Sequence, residues 1–129
     1  MTALLALAAA AAAAAGPAIA DLRWERRVLV VAAPRADDPA FLAQRRALGG
    51  WDGAADRDVT VVEVAGDRVT RVRDDAAAIR STYSLPAARF AVILIGKDGH
   101  VAVRSGEPIL AESIQSRIDA MPMRRAGRR

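Results

Sequence analysis

The sequence predicts a single α/β domain built on a mixed sheet of about four strands, with helices on both faces. Three observations carry this reading. Residues 28–33 and 90–95 are unbroken apolar runs rich in Val and Ile. Such runs are too short for a helix core and have the composition of strands buried on both faces. The second run leads through Gly96-Lys97-Asp98-Gly99 into a segment where Val101 and Val103 alternate with Ala102 and Arg104. An Asp-Gly pair supplies the positive φ that a hairpin turn demands, so residues 90–104 read as two antiparallel strands. The segments between the runs carry helical spacing bounded by Asp, Pro and Gly.

Taken in order, residues 1–20 have the pattern of a secretory signal. An apolar stretch over 4–15 is broken by Gly16-Pro17, and Ala18-Ile19-Ala20 is a small-x-small cleavage site ahead of Asp21, although no Lys or Arg precedes the stretch. The expectation is a periplasmic or secreted protein cleaved after Ala20, with the domain over 21–125 and a basic tail over 126–129. The apolar stretch is shorter than the roughly 20 residues that span a bilayer, so no transmembrane segment is expected in the mature chain.

Trp24, in the lead-in, is expected to cover one end of the core. Pro34 ends the first strand. Asp37 or Asp38 caps the next helix, with Pro39 in its first turn, where a missing N–H costs nothing. Phe41, Leu42, Arg45 and Leu48 follow helical spacing, and Gly49-Gly50 closes the helix. Residues 51–57 read as loop, 58–64 as a third strand, and 68–72 as an extension beyond the Gly66-Asp67 turn. Asp74 and Asp75 open a helix in which Ala76, Ile79 and Tyr83 share a face, and Ser84-Leu85-Pro86 stops it. After the hairpin, Gly106-Glu107-Pro108 introduces a last helix with a buried stripe of Leu110, Ile114, Ile118 and Met121. Pro122 ends this helix and lets Met123 fold back under the sheet. Asp119 falls opposite Ile118, placed to pair with Arg23 or Arg124 as a structural clasp. The order strand, helix, strand, helix, strand, strand, helix, with right-handed crossovers, is that of a thioredoxin-like three-layer α/β/α fold.

Composition narrows the chemistry. The formal charge is +4, carried by eighteen arginines and one lysine, Lys97, against 15 acidic residues. There is no cysteine, so disulfides, thiolate nucleophiles and cysteine-ligated metals are excluded. His100 is the single histidine and follows the Asp-Gly turn, where a solvated role is expected. No metal and no cofactor are predicted. On this fold the loop 34–39 lies at a helix N-terminus beside the central strands. Arg35, Asp37, Asp38 and Gln44 are therefore the candidate binding residues for a small ligand, although capping alone accounts for the two aspartates. No catalytic residue is identified.

Several segments carry a family resemblance: Arg23-Trp24, Asp38-Pro39 with Gln44, Arg57-Asp58, Gly96-Lys97-Asp98-Gly99, and Ile118-Asp119-Ala120-Met121-Pro122-Met123-Arg124. The chain resembles a bacterial domain-of-unknown-function family whose members end in an Ile-Asp-x-Met-Pro-Met-Arg-like motif. That family is similar to a domain of vertebrate extracellular sushi-repeat-containing proteins. The resemblance implies a thioredoxin-like fold and no established activity, with a peroxiredoxin-like role suggested for the wider group. The chain departs from thiol-active relatives at Ala33-Pro34-Arg35-Ala36-Asp37-Asp38, where a redox pair would sit, and at Arg89-Phe90-Ala91, which lacks the expected cis-proline. Thiol–disulfide exchange needs an attacking thiolate, and the chain has none.

The expected function is that of an exported, thiol-free binding or accessory module of the cell envelope, its partner an envelope protein or a small ligand. One alternative is a peroxiredoxin-like oxidative-stress enzyme using Arg35, Asp37 and Asp38. Another is polyanion binding through Arg124, Arg125, Arg128 and Arg129. Export argues against nucleic acid as the partner, and the arginines lack interleaved aromatics.

Overall fold

A computed structural model of the chain describes residues 16–125 and 127. A 3-10 turn at Ile19–Leu22 leads into strand β1 (Arg27–Ala33), followed by helix α1 (Pro39–Leu48), the short helix α2 (Gly53–Asp56) and strand β2 (Val59–Ala65). Strand β3 (Arg68–Val69), helix α3 (Ala76–Tyr83), strands β4 (Ala91–Ile95) and β5 (Val101–Ser105), helix α4 (Ala111–Asp119) and the short helix α5 (Pro122–Arg125) complete it. The sheet has five strands in the order β3-β2-β1-β4-β5, one more than expected. The addition is β3, where the expected extension over 68–72 contracts to two residues paired back onto β2. Strands β1 and β2 are parallel; β4 is antiparallel to β1 and β5 to β4.

Both continuous apolar runs occupy the centre of this sheet, and every residue of β1 and of β4 is buried. Period-two alternation splits them between two cores. Val28, Val30, Ala32, Ile93 and Ile95 face Ile19, Leu22, Ala76 and Ile79 from the 3-10 turn and α3. Leu29, Val31, Val92 and Leu94 face Phe41 of α1 and Ile114 and Ile118 of α4. Helices thus cover both faces. Val30 and Ile93 lie opposite each other in the register of neighbouring strands and are fully buried.

The caps follow the sequence. Asp38 accepts from the Ala40 and Phe41 N–H groups at the start of α1, with Pro39 next to it, and Asp75 accepts from Ala78 N–H at the start of α3. Gly99 has φ +85° in the β4–β5 turn, the conformation that the Asp-Gly pair anticipates. β5 is an edge strand as read, and a bulge opposite Leu94/Ile95 interrupts its ladder.

Other expectations need correction. Residues 51–57 are not all loop, because 53–56 form the turn of α2. Leu110 is 59% exposed and leaves the stripe of the last helix. It is the N-cap, with extended backbone, so its side chain departs from the helical face, and Ile109 packs against the core instead. Trp24 does not cover the core. It is 58% exposed on a backbone of φ +71°, with Arg23 stacked over its ring at 5.3 Å. Pro122 ends α4 and at the same time opens α5, the position at which a proline is pre-organised for a helix.

The packed body also reaches ahead of Asp21. Ile19 is buried among the core residues, and its N–H donates to Asp74 Oδ1 at 2.8 Å. The Pro17 carbonyl accepts from Arg73 N–H at 2.9 Å. The rest of the expected signal, residues 1–15, lies outside the described residues, as do 126, 128 and 129 of the tail. Among the described residues no helix is long and apolar enough to cross a membrane.

Candidate functional site

The register places one set of segments at a single end of the sheet. Arg27 opposes Val59 in the parallel pair, and Val28 opposes Ile95 in the antiparallel pair. The start of β1, the start of β2 and the end of β4 therefore share an end, and α4 finishes there too. Backbone hydrogen bonds lock it. Trp24 N–H donates to the Lys97 carbonyl at 2.6 Å, and Arg27 N–H donates to the Asp58 carbonyl at 2.8 Å. Asp58 adopts φ +52°, a left-handed conformation that Asp tolerates better than most residues and that turns the chain sharply into β2.

Two cations are buried at this end. Lys97, in the hairpin turn, has a side chain only 6% exposed, with Nζ 2.9 Å from Asp58 Oδ2. Arg27 is 1% exposed, and its Nη1 donates to the Arg57 carbonyl at 2.7 Å. Burial lowers the Arg27 pKa, with Arg124 adding repulsion, while Asp58 and Asp119 act in the opposite sense. A guanidinium stays charged through such a shift, so the site keeps its positive floor.

A clasp closes the end from below. Arg57 Nε and Nη2 donate to the two oxygens of Asp119 at 2.9 and 3.0 Å, a bidentate geometry. That bond holds the Asp119 carboxyl below its ordinary 3.8 and raises Arg57. Arg124 Nε lies 3.5 Å from Asp119, and its Nη2 donates to Asp56. Asp119 therefore pairs with Arg124 as anticipated but chiefly with Arg57, and not with Arg23. Arg124 is committed to this clasp.

Between the hairpin turn and the corner from α4 to α5 lies a cavity of about 480 Å³, walled by Trp24, Arg27, Lys97, Val101, Met121 and Met123. Its volume falls within the roughly 300–1,000 Å³ of small-molecule sites, and its wall is largely apolar with cations at the base, the usual chemistry of such sites. A second hollow of about 270 Å³ lies on the other side of the turn, beside Ile19 and Tyr83. Burial there raises the Tyr83 phenol pKa, with a smaller push from Asp74. His100 is exposed as expected, although it lines both hollows.

The candidates read from sequence lie elsewhere. Arg35 and Asp37 form an exposed ion pair at 3.2 Å beyond the opposite end of β1. Asp38 is spent on its cap. Gln44 is fully buried, its Nε2 donating to the Ile109 carbonyl and its Oε1 accepting from Ile109 N–H, both at 2.8 Å. The structure joins Arg35 to Asp37 but does not gather the four around a common cavity. Gln44 is a strut between α1 and the lead-in to α4.

Sequence reasoning missed Arg27 and Lys97. An arginine beside Arg26 at a strand start reads as solvated, and Lys97 reads as a turn residue. Its standing as the one lysine among eighteen arginines was the available signal. Among the described residues no group of three His, Cys, Asp or Glu is placed to hold a metal ion.

Residues 18–127 match the family described as a domain of unknown function, DUF4174. The chain belongs to that family. No solved structure matches it. In this DUF4174 domain, the segments Arg23-Trp24, Arg57-Asp58, 96–99 and 118–124, which lie far apart in the chain, all border the one cavity or its clasp.

Proposed function

We propose that the domain is an exported, thiol-free, thioredoxin-like binding module of the cell envelope, with its ligand held in the Trp24–Met121–Met123 cavity. The observation that carries this reading is the convergence of separate segments on a cavity with an apolar wall and a cationic base. Supporting the thioredoxin-like reading are the parallel β1–β2 pair, the antiparallel hairpin beside it, and helices on both faces.

Trp24 makes the test direct. Trp51 is the other tryptophan, and its Nε1 donates to Gln115 Oε1 at 3.0 Å away from the cavity, so Trp51→Phe leaves a single reporter at the mouth. Titration with an extract of native envelope small molecules should shift the Trp24 emission saturably. Trp24→Ala should abolish capture of the same molecules while the protein stays folded. Capture unaffected by Trp24→Ala would place the site elsewhere.

Export is the other part of the proposal, and the packing of residues 17–19 bears on where processing falls. A cut after Ala20 would discard a buried core side chain and the bonds of Pro17 and Ile19. The alanine tract ahead of Gly16 offers small-x-small sites that spare them. The mature chain should then begin at or before Gly16, which N-terminal sequencing of protein from cells decides.

A further inference from the structure

We infer that the ligand of this cavity is an uncharged, elongated apolar small molecule, its body lying from Trp24 past Met121 to Ala120 at the end of α4. This rests on the binding reading above and specifies its chemistry. Two observations carry it: the charges at the cavity balance, and the cavity continues into a second hollow. Lys97 at the base is bonded to Asp58 at 2.9 Å. Arg27 donates to the Arg57 carbonyl at 2.7 Å and has further partners besides. Asp98 also lines the cavity, and its Oδ1 accepts from His100 N–H within its own turn. Lys97 and Arg27 are thus matched by Asp58 and Asp98, with His100 neutral at pH 7. Behind them Arg57 and Arg124 are matched by Asp119 and Asp56. An ion entering here would give up water for a site with no net charge to answer it, a large loss for a full charge and a small one for a neutral molecule.

The apolar wall is Trp24, Val101, Met121, Pro122 and Met123. Beyond it, between β5 and the end of α4, lies a shallower hollow of about 280 Å³ bordered by Arg117 and Ala120. Ala102, Met121 and Pro122 line both hollows, so the two form one continuous groove. Ala102 is the extra residue of the β5 bulge, since Val101 pairs with Ile95 and Val103 with Leu94, and it adds only a methyl group to the shared wall. Both methionines of the described residues lie here, and unbranched thioethers adapt to the shape of a chain. Trp24 is fixed at the other end. Its φ of +71° is rare for so bulky a residue, and its N–H is tied to the Lys97 carbonyl. Arg23, stacked on the indole, lines the hollow on the other side of the turn and not this groove. At the far end Arg117 is exposed, with Nη2 bonded to the Ala102 carbonyl at 3.1 Å. That bond and the bulge deny the β5 edge to an added peptide strand, which favours a small molecule as the occupant.

The test uses the protein purified from cells, carrying Trp51→Phe, with probes kept below their solubility and micellar limits. Straight-chain hexanol, octanol and decanol are compared with decanoate and decyltrimethylammonium at pH 7. Binding is followed by Trp24 emission and by the NMR shifts of the Met121 and Met123 methyls. Decanol is expected to saturate these signals and to bind about tenfold more tightly than either ion. Each added methylene should raise the affinity of the alcohols about three- to fourfold. Asp98→Asn keeps the Oδ1 that His100 N–H uses but leaves the cations in excess, so it should bring decanoate severalfold closer to decanol. Ala120→Phe, an exposed substitution that fills the shallower hollow, should cut the gain from hexanol to decanol and leave hexanol little changed.

Either ion binding as tightly as decanol, or an unchanged ratio of decanoate to decanol in Asp98→Asn, would overturn the neutral assignment and leave a binding cavity standing. Affinity that stops rising at hexanol, or a gain untouched by Ala120→Phe, would overturn the elongated groove. Saturation by none of the probes at Trp24 or either methionine would overturn the cavity reading as well. An apolar peptide capped at both ends that outcompetes decanol tenfold would replace the small molecule with a partner segment.

Discussion

Asp119→Asn tests whether the clasp holds the last helix to the sheet. In the folded protein Asp119 accepts two hydrogen bonds from Arg57, whose side chain is 12% exposed, and lies 3.5 Å from Arg124. Asp119 itself is 43% exposed, so solvent screens the pair, and the value of an exposed ion pair, about 0.2–1 kcal/mol, sets the scale. The bidentate geometry and the enclosed Arg57, which keeps the Gly53 carbonyl at 3.2 Å, push toward the upper end. A loss of about 1 kcal/mol is expected, or roughly 4 °C in Tm for a domain of this size. The assay is thermal and urea unfolding by circular dichroism, in a double-mutant cycle with Arg57→Gln. The coupling should be about 0.5–1 kcal/mol and shrink in 1 M salt.

Acid adds a second readout. Because the folded carboxyl titrates below its ordinary 3.8, the bonded form contributes stability that is complete above that value. The contribution is lost as pH falls through the folded value, so the parent should lose part of its margin below about pH 4 while Asp119→Asn lacks that component. Equal melting temperatures at pH 7, no coupling in the cycle and parallel acid limbs would refute the clasp.

Two further predictions concern residues first read in other roles. Gln44→Met keeps volume but strips both partners from the Ile109 backbone, so it should cost about 2–4 kcal/mol, seen as a lowered urea midpoint with unchanged slope. A chain that begins at Asp21 should be less stable than one that begins at Gly16, and Ile19→Ala in the longer chain should reproduce about 2–4 kcal/mol of the difference. Equal stability of the two chains would show that Ile19 contributes nothing to the core.

Features that near neighbours in the chain decide were legible in advance. Apolar runs flanked by Pro34 and by Gly96–Gly99 specify the two central strands, since their shortness, β-branched content and bounding turn residues favour a buried strand over a helix. Asp38 with Pro39, Asp75, and Asp98 with Gly99 fix caps and a turn through contacts within a few residues, and the absence of cysteine closes off thiol chemistry. The site depends instead on contacts between distant segments. Its bonds join residues far apart in the chain: Lys97 to Asp58 across 39 positions, Arg57 to Asp119 across 62 and Arg124 to Asp56 across 68. No local pattern separates the fully buried Arg27 from the half-buried Arg26 beside it, because burial depends on which strand arrives next to it. The loop with Arg35, Asp37 and Asp38 had the composition of a site, and Gln44 that of a ligand contact. Their places in the fold gave them a cap, a surface pair and a strut, while Lys97, in an ordinary turn, became a buried cation lining the cavity beside Trp24.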